Sequence, residues 1–115
     1  MDIEDIRAIC KALPAVTEDV KWGNDLCFSV GGKMFCVAGL TNPVSISFKV
    51  NEEEFEELSI TPGFKPAPYL ARYKWVWMEN AGSISSAQLS QYLTNSYKLI
   101  RSKLPGKVLK EIGLS

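Results

Sequence analysis

The chain contains no histidine. That absence removes the side chain most often used as a general base, the commonest metal ligand, and the base of every Ser–His or Cys–His nucleophile pair. Cysteine is scarce: Cys10, Cys27 and Cys36 are the whole complement. Three thiols with no histidine beside them do not make a four-ligand zinc site, and they read more simply as the reduced cysteines of a cytoplasmic protein than as a disulfide framework. No apolar run approaches the ~20 residues that cross a bilayer. The acidic start Met1-Asp2-Ile3-Glu4-Asp5 lacks the basic and apolar stretches of a secretory signal. Net charge is missing too, since thirteen basic residues balance thirteen acidic ones, so no global field advertises a nucleic-acid partner. No P-loop, G-x-G-x-x-G or G-x-S-x-G motif occurs. Together these absences predict a protein with no catalytic residues, no metal, no cofactor and no membrane association.

What is present is ordinary globular composition, 46% hydrophobic and 23% charged over 115 residues, the length of one domain with one core spanning residues 1–115. Asp2 is placed as an N-cap with Asp5 reaching back, and Ile3, Ile6, Cys10 and Leu13 recur at helical spacing until Pro14. Phe28-Ser29-Val30 and Lys33-Met34-Phe35-Cys36-Val37 flank Gly31-Gly32, the glycine pair of a two-residue hairpin. Counting outward from that turn sets Phe28 opposite Phe35 and Cys27 opposite Cys36. The core face is then Phe28, Val30, Phe35 and Val37, and the outer face is Cys27, Ser29, Met34, Cys36 and Ala38.

Val44 to Val50 alternates cleanly, with Val44, Ile46, Phe48 and Val50 on one side, as a sheet covered on one face requires. Asn51 caps a short acidic helix from Glu52 to Leu58, and Thr61 to Pro68, with three prolines, is a turn or extended edge. Tyr73 to Glu79 reads as a strand with Lys74, Val76 and Met78 on one side and Tyr73, Trp75 and Trp77 on the other. Ser85 and Gln88 form the capping box of a last long helix closed by Pro105-Gly106, after which Lys107 to Ile112 can add a turn. Antiparallel strands with helices on one face make an α+β two-layer sandwich.

The segments Ala12-Leu13-Pro14, Lys21-Trp22-Gly23-Asn24, Gly32-Lys33-Met34-Phe35, Ser47-Phe48-Lys49-Val50, Pro62-Gly63, Pro66-Ala67-Pro68-Tyr69-Leu70-Ala71, Lys74-Trp75-Val76 and Ser96-Tyr97 follow one another in a specific order. In that order and spacing the chain resembles the MmcQ/YjbR family of small bacterial proteins over essentially its whole length. The resemblance implies a secretion-chaperone-like sandwich in the order α-β-β-β-α-β-β-α. It also implies a DNA-binding role through a double-wing arrangement of sheet and loops, and no catalytic set. The histidines that family members often carry are absent here.

Charge is polarised along the chain. Residues 1–60 carry five basic and eleven acidic side chains, a net of −6, and residues 61–115 carry eight basic and two acidic, a net of +6. Lys65, Arg72, Lys74, Lys98, Arg101 and Lys103 are the candidate phosphate contacts. The plainer alternative is that these cations suit helix C-termini and pair with the acidic half. Trp75 and Trp77 form either a stacking platform for bases or an apolar partner, or else core. Trp22 and Asn24 are a packed turn unless a pocket sits there, in which case they are a ligand notch. Cys27 and Cys36, placed face to face, can join as a cross-strand disulfide or stay as buried thiols. Glu52 to Glu57 is a solvated helix face.

These readings lead to a non-catalytic module contacting DNA backbone through its basic half. The alternative is a protein-interaction module that docks a peptide or a second copy on the outer sheet face (Met34, Cys36, Ala38) or the Trp75 face. A small-ligand binder ranks third.

Overall fold

A computed structural model describes residues 1–114. Asp2 and Asp5 close the anticipated capping box at the start of helix α1 (Ile3–Lys11), which buries Ile6 and Cys10. The next segment is a strand that hydrophobic periodicity does not reveal, β1 (Val16–Lys21). It carries only two apolar residues because it lies at the sheet edge, and it adds a fourth strand to the three expected before the second helix. Arg7 of α1 locks onto it: Nη2 and Nε donate to the two oxygens of Glu18 at 2.6 and 2.9 Å, and Lys11 Nζ joins at 3.3 Å. Those hydrogen bonds, Arg7's first, hold the Glu18 carboxyl down at about 2.

Strands β2 (Asp25–Val30) and β3 (Lys33–Gly39) form the hairpin around Gly31-Gly32, both at positive φ (58° and 82°), as a tight two-residue turn requires. Gly31 is also sterically fixed, since a Cβ there would lie 2.7 Å from Leu104 Cδ1 and 2.9 Å from Val108 Cγ1. The register starts as counted, Val30 with Lys33 and Ser29 with Met34, and then shifts at a bulge between Phe28 and Ser29. Phe28 pairs with Cys36, and Cys27 pairs with Val37. Because a one-residue slip exchanges faces, Cys36 and Ala38 are core residues, fully buried, and Val37 belongs to the outer face. The facing Cys27–Cys36 pair is therefore corrected. Cys36 lies beside Cys10 of α1, and burial first, then that neighbour, pushes its thiol well up.

Strand β4 (Ser45–Lys49) alternates as read, with Ile46 and Phe48 fully buried. Helix α2 (Glu52–Ser59), capped by Asn51, leads through the proline segment to β5 (Phe64–Pro66), a 3-10 turn at Ala71–Tyr73, and β6 (Trp75–Met78). Helices α3 (Ser86–Arg101) and α4 (Gly106–Glu111) close the chain. All strand pairs are antiparallel, in the order β1-β2-β3-β4-β6-β5. The helices pack on one face, α1 and α3 against β1 to β4 and α2 against β5 and β6, completing the α+β sandwich.

Phe28, Phe35 and Phe48 are fully buried, each contributing roughly 2–3 kcal/mol by leaving water. Where the β3–β4 ladder ends, the Ser96 hydroxyl of α3 bridges it, accepting from Lys49 N–H at 2.9 Å and donating to the Phe35 carbonyl at 2.6 Å. The face of Tyr73–Glu79 that meets the core is that of Val76 and Met78. Lys74 leaves the strand altogether, in left-handed backbone at φ 65°. Among the described residues, no helix is long and apolar enough to cross a membrane.

Candidate functional site

Strand alternation dictates what the helix-free face of the sheet carries. Asp19, Cys27, Val37, Ser47, Trp77 and Lys65 form one row across all six strands. Small residues at Gly39, Ser45 and Ser47 leave a depression there, floored further by Met34, Val37 and Trp77. A Cβ at Gly39 would fall 2.2 Å from Ser45 Oγ, so a larger residue there would require that hydroxyl to turn away.

Two loops build walls on that floor. The turn between β1 and β2 raises Trp22, which is 70% exposed and sits at φ 53°, and the carbonyl of Asn24 fixes the turn by accepting from Leu40 N–H at 2.9 Å. Opposite it, residues 67–70 fold over the sheet as a lip. Ala67 N–H donates to the Trp75 carbonyl at 3.0 Å, and Tyr73 N–H to the Leu70 carbonyl at 3.0 Å, so both ends of the lip are pinned. Tyr69, at φ 66°, is 99% exposed and borders the opening. The cavity, open to solvent on one side, has a volume of about 560 Å³. Asp25 is its one charged liner, and among the described residues that carboxylate makes neither an ion pair nor a side-chain hydrogen bond.

The two tryptophans of β6 thus divide. Trp77 lies in the pocket floor, whereas Trp75, on the same face, is only 4% exposed beside the lip and outside the main core. Of the notch residues, Trp22 forms a wall and Asn24 acts through its backbone alone. Asp25 and the lip residues Pro68, Tyr69 and Leu70 escaped sequence reasoning. The lip's one signal is the Pro66-Ala67-Pro68-Tyr69 segment, which reads as extended chain until its tertiary position is known.

The basic residues fall in two places. Lys65 is exposed on β5 with Nζ 5.8 Å from the Trp77 ring, Arg72 stacks on Tyr73 at 4.7 Å, and Lys74 lies 5.0 Å from the Phe55 ring. Lys98 and Lys103 are exposed at the end of α3 and just beyond it, but Arg101 donates to the Leu114 carbonyl at 3.2 Å. The two groups approach each other at Lys49, whose ammonium is pushed down by burial first, then by Lys103 and Lys74. Lys49 also donates to the Tyr73 carbonyl. The ion pairs among the described residues, Arg7 with Glu4 and Glu18 and Lys11 with Glu18, all lie in the N-terminal half. The direct pairing of acidic with basic half that the plainer reading of the charge invoked is not found among them.

Fold and site together define a one-sided α+β sandwich with a walled pocket on its bare face. The chain belongs to the YjbR family, whose model matches residues 11–99. It is similar to a Deinococcus radiodurans protein carrying the domain DUF419, with a TM-score of 0.86 and 28% identity over 99% of this chain and 89% of that one. A structural-genomics target from Pseudomonas syringae shares the fold, with a TM-score of 0.73 and 17% identity over 88% of this chain and all of that one. No curated protein matches.

Proposed function

We propose that this YjbR-family chain is a non-catalytic binding module whose ligand enters the outer-face pocket. The observation that carries the reading is the cavity itself, about 560 Å³ between Trp22, Trp77 and the 67–70 lip. Its size is that of small-molecule sites, and its anatomy is the usual one, mostly apolar with a few polar groups (Asp25, Ser45, Ser47) to set orientation. Two of the chain's three tryptophans line it, so intrinsic fluorescence reports occupancy directly. A screen of apolar and aromatic fragments is expected to quench or shift that emission in the native protein and not in Trp22→Gly. Fragments that bind both proteins equally would place the site elsewhere.

A second reading, DNA-backbone contact with little sequence preference, is favoured by a different observation: no cation of residues 61–114 is ion-paired among the described residues. Lys65, Arg72, Lys74, Lys98 and Lys103 are its contacts, with Lys49 added and Arg101 partly committed to Leu114. Phosphate contacts release counterions, so binding measured by fluorescence anisotropy must weaken steeply between low and moderate salt. Lys98→Glu with Lys103→Glu must abolish it. Affinity that ignores salt, or survives the double change, rejects this reading and leaves the pocket reading intact.

A further inference from the structure

The geometry points to a small organic cation, an aliphatic quaternary or protonated amine, as the occupant of the outer-face pocket. This rests on the pocket being a ligand site at all. Three aromatic side chains border the cavity, Trp22, Tyr69 and Trp77, and its one charged liner is the carboxylate of Asp25. Aromatic rings present a negative face, and tryptophan attracts a cation most strongly of the three ring types. Trp77 already does so within the chain, with the Lys65 ammonium 5.8 Å from its ring.

Asp25 supplies the second element of recognition. It is half-buried, and among the described residues no donor satisfies its side chain. Lys21 is its cross-strand partner, yet the two form no ion pair. No protein donor competes for this carboxylate, which water reaches in the open pocket, so it is free to meet a positive group on a ligand. An anionic ligand would meet it with repulsion. A neutral apolar ligand would displace its water and return nothing. A cation bearing methyl or methylene groups fits both halves of the lining: its hydrocarbon lies on the rings and its charge faces Asp25. A volume of about 560 Å³ exceeds what one amino-acid side chain fills and suits a whole small molecule.

The test compares a cation with its neutral isostere. Choline and 3,3-dimethylbutan-1-ol have nearly the same shape and differ in charge, and both are titrated against the full chain by tryptophan fluorescence. Choline is expected to bind about tenfold more tightly, which is ~1.4 kcal/mol of discrimination. Asp25→Asn, an isosteric change, is expected to erase that advantage by weakening choline, so that the two probes bind alike. Trp22→Gly, whose backbone already lies where glycine is at ease, is expected to weaken both. Equal affinity for the two probes overturns the cation inference and leaves the pocket reading standing. Binding of neither at millimolar concentration overturns both. A trimethyllysine peptide binding far more tightly than choline would also overturn the small-molecule occupant, replacing it with a protein segment.

Discussion

Trp22 and Tyr69 both border the pocket, each in left-handed backbone and each more exposed than hidden. That conformation costs a side-chain-bearing residue about 1–2 kcal/mol, and burial cannot offset it here because little of either side chain is buried. Tyr69→Gly therefore relieves strain while freeing the unfolded chain, and these effects oppose one another. Urea unfolding of Tyr69→Gly is expected to give a stability within about 1 kcal/mol of the native chain, together with weaker pocket binding. A loss of more than ~3 kcal/mol would show that the ring is a structural support instead. At this scale the sequence disclosed part of the site. Trp22 stood out as a bulky residue before a glycine and an asparagine. Tyr69 did not, because nothing local to Pro68-Tyr69-Leu70 encodes a left-handed non-glycine residue; the pinning of the lip to β6 imposes it.

Among the elements, β3 decides which residues reach the pocket. Its bulge turns Val37 outward and Cys36 inward, against a count made from the turn. Alternation in β4 was readable because a regular ladder preserves period two, whereas the hairpin's pattern was readable only up to its irregularity. β1 was invisible for another reason: as an edge strand with an exposed face, it needs no apolar periodicity. The Ser96 hydroxyl joins β3 and β4 where their own ladder stops. Removing it strands a part-buried N–H and a buried carbonyl together. Ser96→Ala is expected to cost ~1–3 kcal/mol in chemical denaturation. Amide exchange at Lys49 is expected to speed up with it. A neutral outcome on both would mean that water replaces the hydroxyl there.

For the molecule as a whole, the zero net charge is a sum of opposites held apart. Its ion pairs gather where α1 meets β1 and leave the C-terminal cations to solvent. The polarisation was legible in the sequence, but its arrangement was not, since only the fold brings Lys49 from the acidic half beside Lys74 and Lys103. The acid limb of stability follows from Glu18, whose carboxyl falls from 4.5 to about 2 on folding. A depressed carboxyl contributes its full stabilisation above the unfolded value and loses it as pH falls through the folded one. Stability is thus expected to decline from about pH 4.5 towards pH 2. Glu18→Gln starts lower at neutral pH and declines less over that interval, which urea titrations at several pH values would measure. Parallel declines would assign acid sensitivity to other carboxylates.

The hairpin tip rests on the far end of the chain, Gly31 against Leu104 and Val108, and Tyr97 reaches back to the Pro14 carbonyl at 2.6 Å. During synthesis, the strands therefore leave the ribosome long before the helix that covers them. Until α3 follows with Tyr92 and Tyr97, Phe35 and Phe48 face water, so the nascent chain depends on late closure rather than on folding piece by piece.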